Sequence, residues 1–168
     1  MKNFVVFTGA GISAESGLGT FRGSDGMWEK YRIEDVCTHE AWLRNPALCV
    51  EFYNMRRRDA LAAVPNAAHR AITLLQEHFP QTRIITQNID DLHERSGSQN
   101  VVHLHGEITK LRSENDELAT VAIKGWEQKY GDRHPDGSLL RPHIVFFGEG
   151  VPYFPAACEI VEKADMFI

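Results

Sequence analysis

Cysteine is scarce in this sequence, and where it is absent matters. Cys37, Cys49 and Cys158 are the only three in 168 residues, so none falls between residues 50 and 157. An odd number of widely spaced thiols gives no disulfide framework and suits a reducing compartment. Clustered positive charge is also missing. Beyond Arg56-Arg57-Arg58 there is no basic block, and the net charge is −5, so nucleic acid is not the expected partner. Long apolar runs are absent too. Phe4 to Phe7 is too short for a signal core, and no stretch could cross a bilayer as a helix. A cytoplasmic location, no membrane partner and a monomer are expected. The chain has no internal repeat and no low-complexity tract. Its 43% hydrophobic residues suffice for one domain with a real core.

The most informative stretch lies near the start. Phe4-Val5-Val6-Phe7 reads as a strand buried on both faces. Thr8-Gly9-Ala10-Gly11 turns the chain, and Ile12 can begin a helix. Gly9 permits the tight turn, Gly11 leaves room for a pyrophosphate, and Ala14 takes the third small position of a G-x-G-x-x-A pattern. A plain structural glycine turn is the alternative. Gly17 and Gly19 follow, then Thr20-Phe21-Arg22, an aromatic and a fixed charge beside the phosphate site. A loop that closes over a cofactor and excludes water has this composition.

Further along, helices are expected from Glu40, from Pro46 to about Ala63, and after the cap Asn66, with Ala67, Ala71, Leu74 and Leu75 facing inward. Arg83 to Thr86, Val101 to Leu104 and His143 to Phe147 read as strands. Asp91 to Arg95 and Ala156 to Lys163 read as helices. Asp165 opens a last strand that has no exit turn, so a chain that continues beyond Ile168 is expected. The stretch 111–140 is polar and irregular, as an inserted module would be. Strands alternating with helices give an α/β class: a doubly wound, mostly parallel, Rossmann-like sheet with a small inserted module.

Three groups of residues suggest chemistry. Thr86-Gln87-Asn88-Ile89-Asp90 follows a buried strand, where strand ends face a ligand crevice. Its amides and carboxylate can bind a carboxamide and ribose hydroxyls; a capped turn is the plain alternative. His103 and His105 share one face of a strand. His105 precedes Gly106 and is a candidate general base, while His103 has no metal-binding partner at suitable spacing. Tyr53 and Arg56, three apart on a helix, can together receive a carboxylate; a solvated face is the alternative.

Gly9 to Gly17 with Thr20-Phe21-Arg22, then Gln87-Asn88-Ile89-Asp90, Leu104-His105-Gly106 and Phe147-Gly148-Glu149, in that order, closely resemble the motifs of the sirtuins, NAD-dependent protein-lysine deacylases. The resemblance covers essentially the whole chain. It implies NAD as a consumed co-substrate, held by Gly9, Ala10, Gly11, Ile12, Ser13, Glu15, Thr20, Phe21, Arg22, Trp28, Gln87, Asn88, Ile89, Asp90 and His105. It makes His105 and Asn88 catalytic. It assigns Phe147, Gly148 and Glu149 to the acylated-lysine peptide, bound by strand addition. Phe52-Tyr53-Asn54-Met55-Arg56-Arg57 resembles the sirtuins that remove succinyl and malonyl groups, in which the Tyr-x-x-Arg pair lines the acyl channel. Those enzymes usually place an alanine sixteen residues before the tyrosine; here it is Cys37.

Sirtuins commonly carry two Cys-x-x-Cys pairs for structural zinc, and this chain cannot build that centre. No zinc is expected. Asp132, His134 and Asp136 offer a substitute set of ligands on paper, but a turn is the reading adopted, with Leu, Ile and Trp126 packing the module. A dehydrogenase and a non-catalytic ADP-ribose-binding fragment are the rival functions. Against the dehydrogenase, no acidic residue ends a second strand about twenty residues after the glycine turn.

Overall fold

The computed structural model describes residues 2–19 and 31–168. Along the described chain come β1 (Phe4–Thr8), α1 (Ala10–Ala14), α2 (Ile33–Val36), α3 (His39–Arg44) and α4 (Pro46–Ala62). Then follow α5 (Ala67–His78), β2 (Arg83–Thr86), α6 (Leu92–Arg95), β3 (Val101–His103) and β4 (Gly106–Ser113). β5 (Thr120–Ala122), β6 (Leu140–Ile144), α7 (Phe154–Glu162) and β7 (Met166–Phe167) complete the order. The chain forms two compact units. One takes Met1–Phe21, Ala63–Gly106 and Val151–Ile168; the other takes Arg22–Ala62 and Glu107–Gly150.

The first unit holds a parallel sheet of order β3-β2-β1-β7. β1 pairs with β2 in the register Val6↔Ile84 and Thr8↔Thr86, and β2 pairs with β3 at Thr86↔His103. Val5, Ile84 and Ile85 are almost fully buried, as their apolar runs demand. Each contributes roughly 1.5–3 kcal/mol of burial. β7 closes the other side of β1: Ile168 N–H donates to Val5 O at 2.9 Å and Phe7 N–H to Ile168 O at 2.8 Å. Against this sheet, Val5, Ile85, Leu104 and Ala157 form a core joined by Val102, Val151 and Ile160. Asn66 caps α5 with a full capping box, its side chain accepting from Ala68 N at 2.9 Å and its N–H meeting His69 Nδ1 at 3.3 Å. Leu74, expected inward, is 54% exposed; the fully buried position of α5 is His69.

The second unit departs further from expectation. Stretch 111–140 is not irregular: it carries the end of β4, all of β5 and the start of β6. These strands form a sheet of order β5-β4-β6, with Leu111↔Val121 in antiparallel register. The strand expected over 143–147 is instead Leu140–Ile144, and it belongs to this small sheet. Its extension stops because Phe147 bonds elsewhere, bridging Thr38 in parallel. Ile108 and Leu111 are buried, but Trp126 is 42% exposed and does not pack the module. The second unit uses Arg57 instead. This side chain is fully buried, donating from Nε to Ile108 O at 2.6 Å and from Nη1 to Trp126 O at 2.8 Å. The Asp132–Asp136 stretch is a turn. Asp136 accepts from Ser113 Oγ at 2.6 Å and from Ser138 N at 2.8 Å. Those bonds hold its carboxyl well below the usual carboxylate range.

Candidate active site

Thr8 and Thr86 end adjacent strands in register, and both open onto the carboxyl edge of the sheet. The loop after each carries the residues singled out by the sequence. Gly9 is the N-cap of α1, and a Cβ added there would stand 3.3 Å from Gln87 Oε1. A side chain at Gly9 would therefore displace that amide. A Cβ on Gly11 would meet nothing within 4 Å. The open space beside the Gly11 backbone fits a ligand that must approach the main chain. Ala10, Ile12 and Ile89 are half-buried, and Glu15 is exposed at the C-cap of α1. Thr20, Phe21, Arg22 and Trp28 lie outside the described residues.

Beneath the two loops runs a buried polar chain. Asn88 Nδ2 donates to Ser13 Oγ at 3.0 Å, and Ser13 Oγ donates to Asp90 Oδ2 at 3.0 Å. Asp90 Oδ1 accepts from Leu92 N at 3.1 Å, starting α6. Asn88, Ser13 and Asp90 are thus joined into one preorganised set. Its amide, hydroxyl and carboxylate suit a carboxamide and sugar hydroxyls. Next to it, Thr8 Oγ1 donates to Thr86 Oγ1 at 2.9 Å and lies 2.9 Å from His93 Nε2. With the threonine proton already used, His93 donates from Nε2. Burial pushes its pKa down to about 4, so it is neutral at pH 7.

The carbonyls of Thr86, Gln87 and Asn88 are taken in turn by residues 103–105. Leu104 N–H donates to Thr86 O at 2.9 Å. His105 Nδ1 lies 2.9 Å from Gln87 O, and His103 Nδ1 lies 2.8 Å from Asn88 O. A carbonyl only accepts, so both Nδ1 atoms carry protons. Neutral His105 then keeps its lone pair on Nε2, the state a general base needs. The other ring nitrogen of His103 meets Glu94 Oε1 at 2.9 Å. Glu94 escaped the sequence reading because α6 places it beside β3, a proximity that spacing alone does not reveal.

The second unit gathers Cys37, Tyr53 and Arg56. Tyr53 is buried, its ring stacked on Phe146 with centroids 5.4 Å apart and edge-on to Phe52 at 5.2 Å. Its hydroxyl donates to Cys37 Sγ at 3.6 Å. Burial pushes the Cys37 thiol up to about 11 and the Tyr53 phenol well above its ordinary range, although the Arg56 charge pulls both down. Both are therefore protonated at neutral pH, and Tyr53 O–H is a donor.

The Phe147-Gly148-Glu149 segment is paired along one side within the second unit. Phe147 N–H donates to Cys37 O at 2.9 Å and its carbonyl accepts from His39 N at 3.1 Å, so residues 37–39 already pair with it. Its ring is 55% exposed. Gly148 adopts φ +87°, which a side chain would strain. The Glu149 carboxylate points inward. It takes Arg141 at 2.7 and 3.2 Å, Arg112 at 3.1 Å, and Phe146 N at 2.9 Å. Glu149 therefore acts as an internal clamp on the segment that carries Phe147.

Among the described residues, no group of three or more His, Cys, Asp or Glu is arranged to hold a metal ion. The Sir2 family model matches residues 9–168. The NAD-dependent protein deacylase of Bacteroides thetaiotaomicron is 50% identical over 173 residues, covering 100% of this chain and 74% of the relative. That of Helicobacter pylori is 48% identical over 170 residues, covering 100% and 72%. A solved Sir2 homologue mutant–ADP ribose complex superposes with a TM-score of 0.90 at 39% identity, covering 99% of this chain and 68% of that one. A Sir2 homolog–NAD complex gives 0.89 at 39% identity, covering 99% and 66%. The glycine turn, the Asn88–Ser13–Asp90 chain and the anchored His105 thus lie within a match that runs from residue 9 to the last, and the chain belongs to the Sir2 family.

Proposed function

We propose that this chain carries the catalytic site of an NAD-dependent protein-lysine deacylase that consumes NAD and prefers acidic acyl groups. The observation that carries the reading is the anchoring of His105 through Nδ1 to Gln87 O at 2.9 Å, which leaves Nε2 basic. Relatives named NAD-dependent protein deacylase, and Sir2 homologues solved with NAD and ADP-ribose, support the reaction class. The Asn88, Ser13 and Asp90 set orients the nicotinamide end of NAD. The acyl-lysine carbonyl oxygen attacks the anomeric carbon of the nicotinamide ribose, and nicotinamide leaves with the bonding pair. His105 Nε2 takes a proton from a ribose hydroxyl, which promotes acyl transfer to the sugar. The acyl carbon–nitrogen bond breaks, lysine leaves as the amine and one water is added, so that lysine, nicotinamide and O-acyl-ADP-ribose are the products.

Acyl choice falls to Tyr53 and Arg56. A buried carboxylate costs several kcal/mol unless it is paired and hydrogen-bonded. The Tyr53 O–H donates to a thiol, a weak acceptor, and exchanges it readily for a carboxylate. Arg56 supplies the charge.

His105→Ala in the complete protein should abolish deacylation while NAD binding persists. Turnover measured by mass spectrometry of acylated peptides tests this, and retained turnover overturns the base assignment. Release of nicotinamide without NADH separates the reaction from hydride transfer. Arg56→Met should lower the ratio of desuccinylation to deacetylation in kcat/KM more than tenfold, since a desolvated charged pair is worth about 2–5 kcal/mol. Matched acetyl and succinyl peptides give that ratio directly, and an unchanged ratio removes the acidic-acyl assignment.

A further inference from the structure

We propose that His103, held as an imidazolium by Glu94, is a positioning residue that fixes the Gln87–Asp90 loop for the nicotinamide end of NAD; the inference rests on the deacylase reading above. The ladder between β2 and β3 ends at Leu104 N–H to Thr86 O, at 2.9 Å. Past that bond the two chains part: Gln87 N–H still donates to Thr8 O of β1 at 2.9 Å, but no main-chain donor of β3 meets the carbonyls of residues 87 and 88. Two histidine rings take over, His105 on Gln87 O and His103 on Asn88 O. His105 faces the chemistry. His103 is buried, at 7% exposure, and both of its ring nitrogens meet oxygen: a carbonyl at 2.8 Å and the Glu94 carboxylate at 2.9 Å.

A neutral imidazole has one donor and one lone pair. In this setting its lone pair would face either the carbonyl or the carboxylate. Two N–H bonds satisfy both oxygens, so the ring is charged and Glu94 is its counter-ion. Burial pushes the Glu94 carboxyl up, yet hydrogen bonds and nearby positive charge, led by His103, together hold that carboxyl below its ordinary range. The other charged or titratable groups on the packed elements are His93 and Arg95 of α6, Asp90 and Asp91 of the turn before it, and His105 beyond β3, with Arg95 paired to Asp91 at 3.5 Å. His93 is neutral, with its pKa near 4.

The bond has a functional direction. Fixing the Asn88 carbonyl sets the peptide plane between Asn88 and Ile89, and with it the aim of the Asn88 side chain toward Ser13. Because the imidazolium and carboxylate cancel, the loop is ordered without net charge being added near a cationic nicotinamide ring. A neutral imidazole at 103 gives up one of the two bonds, and an amide there carries no charge to pair with Glu94.

Glu94→Gln and His103→Gln in the complete protein test this. Ring ¹⁵N shifts of labelled histidine at pH 7.5 should show both His103 nitrogens protonated in the parent protein and one of them deprotonated in Glu94→Gln. Both variants should raise KM for NAD, and the concentration of nicotinamide needed for base exchange, about tenfold or more. In both, kcat at saturating NAD should fall less than threefold. The alkaline limb of kcat/KM for NAD should move to lower pH by about one unit or more in Glu94→Gln. A neutral His103 ring in the parent protein overturns the proposal. So does a drop in Tm with KM for NAD unchanged, which is the mark of a purely structural residue. Should His103→Gln fail to fold, the parent ring shifts and Glu94→Gln still decide. Absence of deacylation on every acyl-peptide would instead sink the deacylase reading, while the ring state and NAD affinity would continue to test this one.

Discussion

Arg56, Arg57 and Arg58 are consecutive, identical in chemistry, and differently placed. Arg56 is half-buried, and its charge acts on Cys37 and Tyr53. Arg57 is fully buried, and desolvation pulls its pKa down to about 10. Arg58 is exposed, its guanidinium 5.9 Å from the centre of the Trp126 ring. A helix turns each successive side chain by about 100°, so three neighbours meet three environments. Arg57→Met removes a donor from Ile108 O, Trp126 O and Asn54 Oδ1 at once. The expected loss is about 2–4 kcal/mol, because buried acceptors left unmade cost more than the bonds were worth. Arg58→Ala should change stability by less than about 0.5 kcal/mol. Urea unfolding of the two variants beside the parent gives the comparison; equal midpoints would mean that Arg57 is not the bolt of the second unit.

At the scale of elements, the junction between α5, α6 and the ends of β1 and β2 is a pair of buried histidines. His69 and His93 stand edge to face, with ring centroids 5.1 Å apart. His69 Nε2 and His93 Nδ1 have no hydrogen-bond partner among the described residues. Burial lowers both pKa values, His93 from 6.5 to about 4. A histidine whose charged form is disfavoured on folding binds its proton more readily when unfolded. Stability is therefore complete above about pH 6.5 and falls as pH drops toward 4. The His93 contribution to that fall is about 3 kcal/mol across the window. Melting temperatures from pH 7.5 to 4.5 should decline, and His93→Asn should flatten the slope below pH 6. A parallel decline in the variant would place the acid sensitivity elsewhere. These helices also show what the sequence can carry. The Asn66 cap was legible because its signal is local. The outward Leu74 and the inward His69 were not, because which face of α5 packs is decided by partners distant in sequence.

Across the whole molecule, legibility splits between the two units. The parallel sheet could be read because its strands are continuous apolar runs followed by glycine or Asn/Asp turns. The glycine turn after β1 came with it, whereas His105, expected on one strand face with His103, lies in the turn after β3. The second unit resisted because its buried positions include Arg57, Arg112 and Arg141, charges that hydropathy assigns to the surface. Glu149 pairs with two of them, and Arg141 also lies 4.2 Å from the centre of the Phe146 ring and 5.2 Å from that of Trp42. Trp126 misled for the converse reason, since its carbonyl is bonded inside while its ring lies part-exposed under Arg58. The Ser113, Asp136 and Ser138 bonds gather the module where no cysteine is available. Chelator should leave the melting temperature of the complete protein unchanged, and elemental analysis should find no stoichiometric zinc. Ser113→Ala should lower that temperature. Bound zinc, or a melting drop in chelator, would reverse the expectation.

The pairing of β1 with β7 has a consequence in time. Asn3 N–H donates to Asp165 Oδ2 across 162 residues, and Phe7 waits for Ile168. A ribosome adding roughly 5–20 residues per second needs on the order of 10–30 s to travel that far. Throughout that interval β1 can find β2 and β3 on one side, while its other side offers unpaired main-chain groups on an apolar strand. Such an edge recruits strands from other nascent chains. β1 is thus sealed on its far side only long after it is made, and in that interval a chaperone that covers apolar strand edges would protect it.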